Sequence, residues 1–91
     1  MPKYLIERDV PGASNLTAEE LQKIAVTSNR ALAEMDEPYH WLQTYVAGDK
    51  LYCVHIAPDE ATVREHAQRG GFPVTLVKEI KAIMDPTTAD R

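Results

Sequence analysis

Residues 40–58, HWLQTYVAGDKLYCVHIAP, read as two β-rich stretches joined at Gly48-Asp49, and this hairpin decides the fold. Gly and Asp tolerate the backbone angles of a tight turn, and Val, Tyr, Trp and Ile favour the flanking strands. If the turn is two residues long, Thr44 falls opposite Cys53, Tyr45 opposite Tyr52 and Leu42 opposite His55. Strand alternation then gives one face His40, Leu42, Thr44, Val46, Leu51, Cys53 and His55, and gives the other Trp41, Gln43, Tyr45, Tyr52, Val54 and Ile56. Both faces are apolar enough to need cover. Helices can cover one face, and a second copy of the chain can cover the other.

Working outward, Lys3–Arg8 reads as a strand ended by the turn residues Asp9-Val10-Pro11-Gly12. Residues 15–35, NLTAEELQKIAVTSNRALAEM, carry a helix-start signature: Thr17 and Glu20 are spaced for a capping box and Leu16 and Leu21 for a hydrophobic staple. Leu21, Ile24, Ala25, Ser28, Leu32 and Met35 recur at helical spacing as a core stripe. Downstream of the hairpin, a second helix starts near Asp59. Val63, His66, Ala67 and Gly70 form its buried side, and Gly70-Gly71 and Pro73 end it. A last strand is expected over 74–84. The resulting order, β-α-β-β-α-β, predicts an α+β, ferredoxin-like antiparallel sheet over residues 1–86, with a polar tail at 87–91 and the first and third strands central. A sheet apolar on both faces suggests pairing into a dimeric α+β barrel, hence a homodimer.

Composition narrows the function classes. At 91 residues the chain is one domain of marginal size that gains stability from a partner. With 14 acidic against 10 basic residues and a net charge of −4, it has no phosphate-tracking surface, so nucleic acid is not an expected partner. No apolar run approaches the roughly 20 residues of a membrane span, and the first residues carry no apolar signal core. A single cysteine offers no internal disulfide, which fits a reducing cytoplasm.

Few residues can carry chemistry. Cys53 and His55 alternate onto one face of a strand, and sulfur beside imidazole suits zinc, copper or nickel. His66 at the edge of a helical stripe is either a hydrogen-bonded packing residue or a ligand and proton carrier beside the sheet. Glu7 sits on a central strand next to that of Cys53 and His55, and a carboxylate there needs a partner. Trp41, Tyr45 and Tyr52 read as core or as the walls of a ligand pocket. The bland reading of Cys53 is a small buried filler.

The blocks MPKYLIERDVPG, HWLQTYV, DKLYCVHIAPDE, VREHAQRGGFP and MDPTT together resemble the small bacterial family called domain of unknown function 4242. The resemblance spans almost the whole chain. It implies a ferredoxin-like dimer, and because some members are described as nickel-binding, it implies a transition-metal role. Glu7, Trp41, Tyr45, Cys53 and His66 match the recurring pattern; His55 stands where the family carries an aromatic. The resulting expectation is a small cytoplasmic nickel-type binding protein with Cys53, His66, Glu7 and His55 as candidate ligands and no organic cofactor. Two alternatives stand beside it. One is a small-molecule-binding protein or cofactor-independent enzyme of the dimeric barrel type, with Glu7 and His66 moving protons. The other is a dimerising module without chemistry.

Overall fold

The computed structural model describes residues 1–90. Its elements are β1 (Lys3–Asp9), α1 (Ala18–Glu34), β2 (His40–Ala47), β3 (Lys50–Ile56), α2 (Glu60–Gly70) and β4 (Leu76–Ile80), with 3-10 turns at Ala13–Asn15 and Pro86–Asp90. The strands form one antiparallel sheet in the order β2-β3-β1-β4, with β1 and β3 central as the sequence suggests.

Alternation along the two central strands builds the core. Tyr4 and Ile6 of β1 and Cys53 of β3 point inward and pack with Ala57, Val63 of α2 and Val77 of β4. Both helices lie over this inner face. Helix α1 starts at the predicted capping box: the Glu20 backbone N–H donates to Thr17 Oγ1 at 3.1 Å, and the Thr17 N–H donates to Glu20 Oε1 at 3.0 Å. Helix α2 is capped by Asp59, whose carboxylate accepts the Thr62 N–H at 2.8 Å, and it ends at Gly71, whose φ of 72° is the left-handed conformation glycine tolerates. Gly70 serves a different purpose. The Phe72 ring folds back over it so closely that an added Cβ would overlap the ring.

The hairpin turns at Gly48 (φ 59°) and keeps Thr44 opposite Cys53 and Tyr45 opposite Tyr52. Beyond Gln43 the expected register fails. A β-bulge between Trp41 and Gln43 sets Trp41, not Leu42, opposite His55 and shifts His40 opposite Ile56. One extra residue in a strand reverses the facing of everything past it. Trp41 is therefore on the inner face, His40 is on the outer face, and Leu42 is 47% exposed. The last strand is also shorter than the expected 74–84. Its final pair is Ile80 with Lys3, where β1 begins, so residues 81–84 have no strand to bond with. Within the segment expected to be a polar tail, Pro86–Asp90 forms a 3-10 turn with no buried residue.

The outer face carries Leu5, Tyr52, Val54, Ile56 and Leu76, all half-buried, with Tyr45 55% exposed. At one end of this face Lys50 Nζ bridges Glu7 at 3.2 Å and Asp9 at 2.6 Å. Among the described residues, no helix is long and apolar enough to cross a membrane.

Candidate functional site

Helix α1 and the inner face of the sheet line a half-open cavity of about 210 Å3. Leu21, Ile24, Ala25 and Ser28 of α1 form one wall; Trp41, Thr44, Val46, Leu51 and Cys53 of the hairpin form the opposite wall. Arg8, His55, His66 and Phe72 close the inner end. Most of the lining is apolar, so each polar group in it needs an account.

Arg8 is the least expected of these groups. It occupies the inward phase of β1 after Tyr4 and Ile6 and is 3% exposed. Its Nε–H donates to Cys53 Sγ at 3.4 Å, an Nη1–H donates to the Pro73 carbonyl at 2.8 Å, and Cζ lies 5.4 Å from the Phe72 ring centroid. Among the described residues no carboxylate pairs with it. Cys53 Sγ also accepts the Thr44 hydroxyl at 3.1 Å, and Thr44 Oγ1 in turn accepts Trp41 Nε1–H at 3.0 Å. A chain of donors thus runs from the bulge to the sulfur.

His55 and His66 meet beneath the cavity with ring centroids 5.3 Å apart, each 1% exposed. Tyr39, just before β2, shares a hydrogen bond with His55 Nδ1 and crosses its ring edge-on. Burial pushes the His55 imidazole down to about 3, with the neighbouring His66 and Arg8 acting in the same direction. Burial also lowers His66, opposed by its Ser28 contact and assisted by Arg8, and it raises the Tyr39 hydroxyl. Both imidazoles are therefore neutral at pH 7. Ser28 Oγ lies 3.1 Å from His66 Nε2, while His66 Nδ1 is buried without a partner among the described residues.

The candidates drawn from the sequence separate into two groups. Cys53, His55, His66 and Trp41 come together at the cavity. Glu7 does not join them: it stands opposite Tyr52 on the outer face and bonds to Lys50, away from the Cys53 and His55 side chains of the neighbouring strand. Tyr45 and Tyr52 face each other on that outer surface, away from the cavity whose walls they were expected to form. Arg8, Tyr39 and Phe72 were not anticipated. The signal for Arg8 was present in the sequence, as a charged residue in the same alternation phase as Tyr4 and Ile6.

The predicted nickel ligands do not fit an ion site within one chain. Among the described residues no three His, Cys, Asp or Glu side chains cluster to hold a metal. Tyr39 engages His55 Nδ1, Ser28 engages His66 Nε2, and the Arg8 guanidinium lies against the sulfur, where its charge opposes a cation.

The model of the family described as nickel responsive protein SCO4226-like matches residues 4–80, and the chain belongs to that family. Among solved structures, the crystal structure of SCO4226 from Streptomyces coelicolor A3(2) is similar, with a TM-score of 0.70 at 21% identity over 90% of this chain and 99% of that one. At that identity the likeness speaks for the shared fold. No curated protein matches the chain.

Proposed function

For this member of the nickel responsive, SCO4226-like family, we propose a small binding protein whose working part is the cavity between α1 and the inner face of the sheet. The observation that carries the reading is the lining itself: a buried guanidinium that has no acidic partner among the described residues, set beside two buried imidazoles among apolar walls. Such groups are costly to bury in a filled core, whereas a receptor for a guest keeps a few polar groups in an apolar pocket. The unpaired Cys53 accords with a reducing compartment.

A nickel-related role is supported by the family description alone; Cys53, His55 and His66, each already engaged within the chain, are the candidate ligands that lie on the cavity and so the positions to test. The test is the melting midpoint of untagged protein in excess nickel. A free ion at about 100 times its dissociation constant stabilises the folded state by roughly 2.7 kcal/mol, which is on the order of ten degrees for a domain of this size. Magnesium, an oxygen-seeking ion, should give no shift. Loss of the nickel shift in Cys53→Ala or His66→Ala would locate the ion at the cavity, persistence would locate it elsewhere, and no shift in the wild type would remove nickel binding from the reading.

The homodimer belongs to the same proposal. The half-buried row Leu5, Tyr52, Val54, Ile56 and Leu76 lies on the sheet face opposite the helices, which a second copy would cover.

A further inference from the structure

We propose that the cavity takes a small organic monocarboxylate with an apolar body, its carboxylate seated on Arg8 and its hydrocarbon part held between α1 and Trp41. The inference rests on the reading of the cavity as a binding site and adds the chemical class of the guest. A guanidinium 3% exposed must be neutralised or remain at considerable cost. Its present partners, the Pro73 carbonyl and the Cys53 thiol, supply dipoles but no charge, and the Phe72 face supplies only a quadrupole. One unbalanced positive charge calls for one negative charge. A phosphate or dicarboxylate would bring a further charge among Leu21, Ile24, Val46 and Leu51 with nothing to pair it.

A donor for the carboxylate is present. Arg8 uses Nε and Nη1 within the chain, and its Nη2 makes no hydrogen bond among the described residues. Phe72 packs against both Arg8 and His66, its ring centroid 5.4 Å from Arg8 Cζ and 5.8 Å from the His66 ring. Leu21 and Val46, 37% and 38% exposed, stand at the rim on opposite walls, so a guest can enter between the first turn of α1 and the hairpin.

The test titrates benzoate and hexanoate into the intact protein at pH 7, against benzamide as neutral isostere and benzylamine as cation, following heat and 1H–15N resonances. Benzoate should bind saturably and move the Arg8 Nε–H resonance. Benzamide should bind about tenfold to a hundredfold more weakly, the worth of a charged hydrogen bond, and benzylamine should not bind. Arg8→Met should abolish the preference for benzoate over benzamide; if that variant does not fold, the wild-type Arg8 Nε–H resonance decides. Equal binding of benzoate and benzamide, or an unmoved Arg8 resonance, overturns the anion inference and leaves the cavity a binding site. If none of the probes binds, the cavity reading falls with it.

Discussion

Ser28 Oγ lies 3.1 Å from His66 Nε2, joining α1 to α2 across 38 residues of sequence by a buried hydrogen bond. It is the only partner of the His66 ring among the described residues, since Nδ1 has none. Ser28→Ala should therefore leave both ring nitrogens buried and unpaired and cost about 1–3 kcal/mol in denaturant unfolding. Asn29→Ala, one residue away and exposed, should stay within about 0.5 kcal/mol. Equal effects at the two positions would mean that the Ser28 contact contributes nothing specific.

The acid sensitivity of the fold follows from His55. Its folded value of about 3 lies below its ordinary 6.5, so the unfolded chain binds the proton more readily. The stability from keeping this ring neutral is complete above pH 6.5 and declines as pH falls from there toward 3. Between pH 7 and 5 the loss should be about 2 kcal/mol from this residue, with His66 adding in the same direction. Urea midpoints across that range should fall in the wild type and fall less steeply in His55→Gln, which cannot take up the proton.

Gly70 is constrained by its neighbour rather than by its own backbone. Gly70→Ala would push the Phe72 ring off the helix end, at about 1–3 kcal/mol for overpacking. Because Phe72 also lies beneath the Arg8 guanidinium, the variant should weaken benzoate binding in addition to lowering the melting midpoint.

Thr17→Ala removes half of the capping box of α1 and should destabilise by about 1 kcal/mol. An unchanged denaturation curve would show that the cap is dispensable.

The outer sheet face should hold two copies together. Sedimentation of the wild type at micromolar concentration is expected to give a dimer, and Val54→Lys, which sets a charge in the middle of that face, is expected to give a monomer. A monomeric wild type would refute the homodimer.

The sequence determined the local elements, because their causes are local. Thr17 with Glu20, Asp59 with Thr62, and Gly71 each act within one turn of chain, and the Gly48 turn fixes the near half of the hairpin. Two helices and four strands in that order, with apolar alternation, were enough for the antiparallel ferredoxin-like sheet, and the clustering of Cys53 with His55 followed from alternation alone. The tertiary structure decided the rest. The bulge before Gln43 carries no sequence mark, yet it turns Trp41 into the cavity and His40 out of it. Glu7 could have faced either way until the pairing of β1 with β3 placed Tyr4, Ile6 and Arg8 inward. The site shared by Arg8, Cys53, His55 and His66 joins residues up to 58 positions apart in the chain. Contacts at that separation depend on how sheet and helices stack, and no local pattern encodes them.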